Sequence, residues 1–163
     1  MLLNKVLIKG TDLLLIVFAI YLFSYYFDIF FTRRKKIMQV VSGYIIFTIW
    51  QVLLLNMVIL PVYINISITI VITFISILFA YESRLWNRCI FTLSFNATWM
   101  MAETLSGYVL STYCCQFINS EVYVILGSFI SKVLFWVLIF VLKKVFSSER
   151  ITELPVKYSI MLI

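Results

Sequence analysis

The sequence predicts an all-α integral membrane protein, a helical bundle of five complete transmembrane helices plus the start of a sixth. Of the 163 residues, 64% are hydrophobic and only 12% are charged, whereas soluble domains carry about 25% charged residues. The stretch from Ile37 to Tyr81 has no charged residue, and one helix needs about 20 apolar residues to cross a bilayer. These runs are too long and too uniform for membrane strands, which alternate polar and apolar positions.

The five complete helices follow from the apolar runs and from the residues that separate them. The first run follows Lys5 and Lys9 and ends before a cluster of basic residues. The uncharged stretch holds two helices, because Asn56 and Pro61 favour a turn between them. Two more runs follow, with a short polar segment around Asn119 between them. The predicted helices are Leu13–Phe31, Ile37–Asn56, Val62–Tyr81, Ile90–Thr112 and Val122–Leu142.

A sixth helix is predicted to begin at Leu154 and Pro155, but only ten residues remain up to Ile163. At 1.5 Å per residue they reach about 15 Å, roughly half of a bilayer core. We therefore expect the chain to be cut short within a longer protein. Residues 1–163 contain no repeat, low-complexity tract or linker, so they are predicted to form a single transmembrane domain.

The basic residues predict the orientation of the chain in the membrane. The 13 Lys and Arg residues outnumber the 7 Asp and Glu residues, giving a net charge of +6. They concentrate in the loops after the first, third and fifth helices, which the positive-inside rule places in the cytoplasm. The N-terminus is then outside, although Lys5 and Lys9 oppose that placement. The predicted topology determinants are Arg33, Arg34, Lys35, Lys36, Arg84, Arg88, Lys143 and Lys144. The expected partner is the lipid bilayer and not nucleic acid.

Polar residues inside the predicted spans recur at helical spacing and share a face. On the fourth and fifth helices they are Thr92, Asn96, Gly107, Ser111, Ser128 and Ser131. Small and hydroxyl residues in such a stripe commonly allow two helices to pack closely. The alternative is a cavity that binds a ligand, and the sequence leaves both interpretations open.

Glu103 and Lys132 are the most informative pair of residues in the spans. Each lies near the middle of an apolar run, where an unpaired charge costs at least about 2.5–3.5 kcal/mol. Antiparallel neighbouring helices joined by a short outer loop would bring the two to about equal depth. We therefore predict an intramembrane ion pair, acting either as a structural clamp or as part of a signal relay.

Several kinds of chemistry are excluded by residue type. The chain has no histidine, which removes Ser-His and Cys-His catalysis, histidine metal ligation and histidine phosphorylation. Cys114 and Cys115 are adjacent and Cys89 is predicted at the opposite membrane face, so they do not match a zinc pattern. Asp28 and Glu103 lie at different depths, which argues against an aspartyl protease. Asp28 is expected to reach the membrane interface or the nearby basic cluster. We predict no catalytic residue, cofactor or metal in this chain.

A family resemblance adds to this interpretation from Tyr81 onward. The segment from Tyr81 to Arg88 leads into an apolar helix that contains Met101-Ala102-Glu103-Thr104-Leu105-Ser106-Gly107. Ser131-Lys132, the basic pair Lys143-Lys144 and the run Leu154-Pro155-Val156-Lys157-Tyr158 follow in that order. This order resembles the multi-span sensor region of GHKL-type histidine kinases of Firmicutes, the class that includes peptide-pheromone receptor kinases of the accessory gene regulator type.

The resemblance implies a receptor of six or seven spans in the bacterial cytoplasmic membrane, followed by a dimerisation helix and an ATP-binding domain. It also implies a homodimer formed through regions beyond this chain, which lacks the kinase portion and is not itself an enzyme. The expected function is the sensing region of a two-component system, receiving an extracellular signal such as a quorum-sensing peptide. The signal would bind among the outer halves of the helices. The alternative is a small multi-span transporter or substrate-binding membrane subunit.

Overall fold

The structure, a computed structural model, describes residues 2–56, 61–113 and 120–146, with side chains described within 10–54, 61–112 and 125–144. The helices are α1 (Leu2–Phe30), α2 (Ile37–Asn56), α3 (Val62–Ala80), α4 (Leu85–Tyr113) and α5 (Ser120–Phe146), and two short strands are β1 (Thr32–Arg33) and β2 (Tyr81–Glu82). The all-α class is confirmed. The predicted sixth helix lies outside the described residues.

Four of the described helices are long and apolar enough to cross a membrane. Their candidate spans are Gly10–Phe30, Ile37–Leu54, Val62–Ala80 and Ile125–Lys144. The prediction of five complete spans is therefore supported for α1, α2, α3 and α5. Helix α4 is continuous over 29 residues, but it falls outside this set because it carries Arg88, Asn96 and Glu103 among its apolar residues.

Three helices extend beyond the predicted apolar runs. Helix α1 begins at Leu2 and not at Leu13, α4 begins at Leu85 and not at Ile90, and α5 extends to Phe146. These extensions contain polar residues, but no proline interrupts them, so the backbone continues its hydrogen bonding past the apolar segment. In the last turn of α5, Lys143 and Lys144 add favourable positive charge near the helix C-terminus.

The strands β1 and β2 form a short antiparallel pair that the sequence analysis did not anticipate. Thr32 is opposite Glu82 and Arg33 is opposite Tyr81. The next residue, Arg34, donates from its backbone N–H to the carbonyl of Ala80 at 3.0 Å. The pair joins the loop after α1 to the loop after α3, so these two loops lie at the same end of the bundle.

Each of the five helices packs against the next one along the chain, and α5 packs back against α1. Helices α2 and α3 approach especially closely at Gly43. A Cβ atom on Gly43 would lie 2.6 Å from the carbonyl oxygen of Ser76 and 3.0 Å from the Cβ of Ala80. Only a residue without a side chain fits this crossing.

Aromatic rings fill the interior between these helices. Phe23 of α1 stacks on Phe47 of α2 with ring centroids 4.3 Å apart. Tyr26 of α1 lies 5.2 Å from Phe95 of α4, which in turn lies 5.3 Å from Phe135 of α5. All five are almost completely buried, and aromatic pairs at such distances add about 0.5–1.5 kcal/mol each beyond area burial. The core therefore joins α1, α2, α4 and α5.

Candidate functional site

A cleft separates α4 from α5 in the half of the bundle away from the β1–β2 pair. Its volume is about 290 Å³. The lining residues are Glu103, Ser106, Gly107 and Leu110 of α4 and Gly127, Ser128 and Ser131 of α5. Small residues face each other across most of this contact, so the two helices leave space where larger side chains would close it. A Cβ atom on Gly107 would have no heavy atom within 4 Å.

Glu103 forms the inner end of the cleft. Its side chain is exposed, and its Oε1 accepts a hydrogen bond from the indole Nε1 of Trp99 at 2.7 Å. Trp99 precedes Glu103 by four residues, a spacing that places two side chains on the same face of a helix. The indole therefore holds the carboxylate in one orientation toward the cleft.

Lys132 lies behind the same indole ring. Its side chain is buried, and Nζ is 5.5 Å from the centroid of the Trp99 ring. The predicted ion pair between Glu103 and Lys132 is not formed as a direct contact: the salt bridge among the described side chains joins Arg33 and Asp28. Instead, the anion contacts the N–H edge of Trp99 and the cation contacts its face. The aromatic quadrupole favours both arrangements.

The predicted polar face divides into three parts. Gly107, Ser128 and Ser131 line the cleft. Thr92 and Asn96 are buried nearer the β1–β2 pair. Both donate hydrogen bonds within their own helix: Thr92 Oγ1 donates to the carbonyl of Arg88 at 2.6 Å, and Asn96 Nδ2 donates to the carbonyl of Thr92 at 2.8 Å. Ser111 is exposed and donates to the carbonyl of Tyr108 at 2.8 Å. The stripe therefore has a part that lines the cleft, a buried part and an exposed part.

The hydroxyl groups of two lining serines donate to backbone carbonyls. Ser106 Oγ donates to the carbonyl of Glu103 at 2.9 Å, and Ser131 Oγ donates to the carbonyl of Ser128 at 3.0 Å. A hydroxyl has one proton and two lone pairs. These two side chains therefore present acceptor lone pairs to the cleft, which adds to the acceptor capacity of the Glu103 carboxylate.

A second polar cluster lies where the β1–β2 pair meets α1 and α2. Arg33 forms a bidentate salt bridge with Asp28, in which Nε donates to Oδ1 at 2.8 Å and Nη2 donates to Oδ2. The hydroxyl of Tyr81 donates to Asp28 Oδ1 at 3.1 Å and lies 3.0 Å from the hydroxyl of Tyr44. The expectation that Asp28 reaches the basic cluster is confirmed, and the cluster ties α1, α2 and the end of α3 together.

These contacts perturb two titratable groups outside the spans. The hydrogen bond from Arg33 to Asp28 raises the pKa of the guanidinium above its ordinary value, and burial of the side chain opposes that effect more weakly. Burial raises the pKa of the Tyr81 phenol, and its hydrogen bond to Tyr44 adds to the increase. At physiological pH the cluster therefore contains a charged arginine and a neutral tyrosine.

The predicted topology determinants gather at this same end of the bundle, but their environments differ. Arg33, Lys35, Lys36, Arg84 and Lys144 are exposed. Arg34 is partly buried, with Nε donating to the carbonyl of Tyr81 at 3.3 Å. Arg88 is 7% exposed and its Nε donates to Ser83 Oγ at 3.2 Å. Lys143 Nζ lies 4.6 Å from the ring centroid of Tyr25, which connects the end of α5 to α1.

Sequence reasoning missed Trp99, which contacts both charged residues. An aromatic residue counts as apolar in a hydropathy pattern, so that pattern does not distinguish Trp99 from its neighbours. The sequence feature that could have indicated its contact with Glu103 is the spacing of four residues between them. Among the described residues, no group of three or more His, Cys, Asp or Glu side chains is placed to hold a metal ion. Cys89 is partly buried and free, whereas Cys114 and Cys115 lie outside the described residues.

No protein-family model, no curated protein and no solved structure matches this chain.

Proposed function

We propose that this chain is the membrane-embedded sensing region of a two-component signalling histidine kinase. In this proposal it receives an extracellular signal, such as a peptide, and relays it to a cytoplasmic GHKL kinase domain that is not part of the chain. The resemblance from Tyr81 onward supports the class. The observation that carries the proposal is the cleft between α4 and α5, which contains an oriented carboxylate, Glu103.

The proposal includes five complete spans in a bacterial cytoplasmic membrane, with the N-terminus outside. Helix α4 has 29 residues, or about 43 Å at 1.5 Å per residue, which exceeds a hydrocarbon core of about 30 Å. Its neighbours α3 and α5 are both candidate spans. The β1–β2 pair lies at the end that carries the basic residues, so that end is cytoplasmic and the cleft is in the outer half.

In this arrangement a ligand acts by changing the spacing of α4 and α5. A ligand shifts an equilibrium only by the difference in its affinity for the two arrangements. Ligand atoms between Gly107 and Gly127 favour a wider separation of α4 and α5. A ligand that contacts Glu103 also displaces the Trp99 side chain, and the Trp99 ring in turn displaces Lys132. The helices are continuous from the cleft to the cytoplasmic end, so they transmit the change without a separate linker.

Peptide binding to membrane vesicles that contain the full chain tests the proposal. The probe is the low-molecular-mass peptide fraction of conditioned medium from the source culture, and bound and internalised peptides are quantified by mass spectrometry. The test variant is Gly107→Leu, whose side chain fills the cleft. The matched control is Gly10→Leu, at a glycine that also has no heavy atom within 4 Å of a built Cβ but lies away from the cleft.

We expect saturable binding of at least one peptide to the wild type and to Gly10→Leu, with loss of binding in Gly107→Leu. Absence of saturable binding to the wild type would contradict the proposal. Accumulation of peptide inside the vesicles would show a transporter instead.

A further inference from the structure

We infer that the cleft between α4 and α5 binds a protonated amine, whose ammonium group pairs with the carboxylate of Glu103. This inference rests on the proposed receptor function and names the chemical class of the ligand. It follows from the charge of the cleft, from the direction of its hydrogen-bonding groups, from its size and from the position of Lys132.

The lining of the cleft carries one negative charge, and Lys132 lies near enough to interact with it electrostatically without a direct contact. Within the described part of the chain, Glu103 is the one charged residue among the lining side chains. A carboxylate has two oxygens with about four acceptor positions, and the Trp99 N–H occupies one position on Oε1. The remaining positions suit hydrogen-bond donors, and a cationic donor forms bonds about twice as strong as a neutral one.

Two of the three hydroxyl groups that line the cleft, those of Ser106 and Ser131, have the same preference. The protons of Ser106 and Ser131 are directed to the carbonyls of Glu103 and Ser128, so their free lone pairs accept and do not donate. An ammonium group has three donor protons and no acceptor. It therefore satisfies the carboxylate and a neighbouring hydroxyl together, whereas a carboxylate or phosphate would find no complementary donor on these side chains.

The size of the cleft limits what enters it. Its volume of about 290 Å³ is just below the range of about 300–1,000 Å³ for ligand pockets. The cleft accommodates an amino terminus, a lysine-like side chain or a small aromatic amine. A longer ligand would place only its amine-bearing group between the helices.

Lys132 does not occupy this position. Its Nζ is 5.5 Å from the centroid of the Trp99 ring and makes no salt bridge to Glu103. A carboxylate without a direct cationic partner at membrane depth is costly, by about 2.5–3.5 kcal/mol or more at the bilayer centre. A ligand ammonium reduces that cost, which gives an amine an advantage over a neutral molecule of the same shape.

Phenethylamine and its uncharged counterpart phenethyl alcohol provide the test. The full chain is placed in phosphatidylcholine nanodiscs, where the neutral lipid does not attract the amine, and labelled with ¹⁵N at its tryptophans. The indole N–H resonance of Trp99, assigned with Trp99→Phe, reports binding because this group contacts Glu103 directly. The variants are Glu103→Gln, which keeps the shape and removes the charge, and Glu82→Gln, which removes an exposed carboxylate in β2.

We expect saturable shifts of the Trp99 resonance with phenethylamine at an affinity at least about tenfold higher than with phenethyl alcohol, as a charged hydrogen bond implies. Glu103→Gln should remove this difference and Glu82→Gln should preserve it. The comparison of amine with alcohol on the wild type does not depend on any variant folding.

Equal affinities for the two compounds, or no saturable shift with either, would overturn the inference. An unchanged preference for the amine in Glu103→Gln would overturn it as well. The receptor proposal is judged separately by the Gly107-dependent binding of peptide. If that binding is found and the amine preference is absent, the receptor proposal stands and the ligand class is wrong.

Discussion

Replacing Gly43 with alanine tests the close packing of α2 against α3. The added Cβ would lie 2.6 Å from the backbone oxygen of Ser76 and 3.0 Å from both the Cβ and the backbone nitrogen of Ala80. Two of these three atoms belong to the backbone, so the contact cannot be relieved by rotating a side chain. Either α2 or α3 must move outward, which weakens the packing along the helix pair.

The magnitude follows from two opposing effects. Alanine stabilises a helix interior by up to about 1 kcal/mol relative to glycine, and overpacking of a well-packed contact costs about 1–3 kcal/mol. Because the contacts at Gly43 are with backbone atoms, we expect the upper part of that range and a net loss of about 1–2 kcal/mol. For a chain of this size that loss lowers the Tm by roughly 2–8 °C.

Thermal unfolding of the purified chain in detergent, followed by far-UV circular dichroism, measures the effect. Gly107→Ala is the matched control, because a Cβ on Gly107 would have no heavy atom within 4 Å, so its Tm should equal or exceed that of the wild type. Adding Ala80→Gly to Gly43→Ala removes the contact with the Ala80 Cβ and should restore part of the loss, while the contacts with the backbone atoms of Ser76 and residue 80 remain. A Tm for Gly43→Ala at or above that of Gly107→Ala would refute the reasoning.

Two further predictions concern the polar clusters. Tyr81→Phe keeps the buried ring and removes the hydroxyl that bonds to Asp28, so it should lower stability by about 1 kcal/mol; an unchanged Tm would show that this bond does not contribute. A double-mutant cycle of Trp99→Leu and Lys132→Met should give a coupling energy of about 0.5–2 kcal/mol from the cation–π contact. Additive losses in Tm-derived free energies would contradict that contact.

The fold was predictable from the sequence where hydropathy and charge change together. Helix α2 has the predicted limits, Ile37–Asn56, because a basic cluster precedes it and a polar turn follows it. Helix α3 ends at Ala80 and not at Tyr81, since Tyr81 pairs with Arg33 in the strands. That pairing depends on two loops that are distant in sequence, and a two-residue strand leaves no periodic pattern to detect.

The candidate site was predictable in its residue types and not in its contacts. Equal spacing from the loop between α4 and α5 predicted similar depths for Glu103 and Lys132, and helical spacing put Gly107 on the polar face of α4 and Ser131 on that of α5. Which polar residues line a cleft and which are buried depends on the rotation of each helix about its axis. That rotation is fixed by large rings such as Phe95 and Phe135, whose packing partners a single sequence does not specify.

The contacts at the end of the bundle that holds the β1–β2 pair determine how a change at the cleft would travel. Helix α4 begins shortly after β2, and β2 is fixed to α1 and α2 through the hydrogen bonds of Tyr81 to Asp28 and Tyr44. Within the described residues, helix α5 adjoins no strand at this end, where Lys143 contacts the partly buried Tyr25 of α1. Ile139 and Leu142 pack this end of α5 into the core, but its polar anchor is one cation–π contact worth about 0.5–1 kcal/mol, less than the combined hydrogen bonds around Tyr81. A ligand that widens the cleft would therefore displace the inner end of α5 more than that of α4, which makes α5 the helix through which the proposed signal leaves the described bundle.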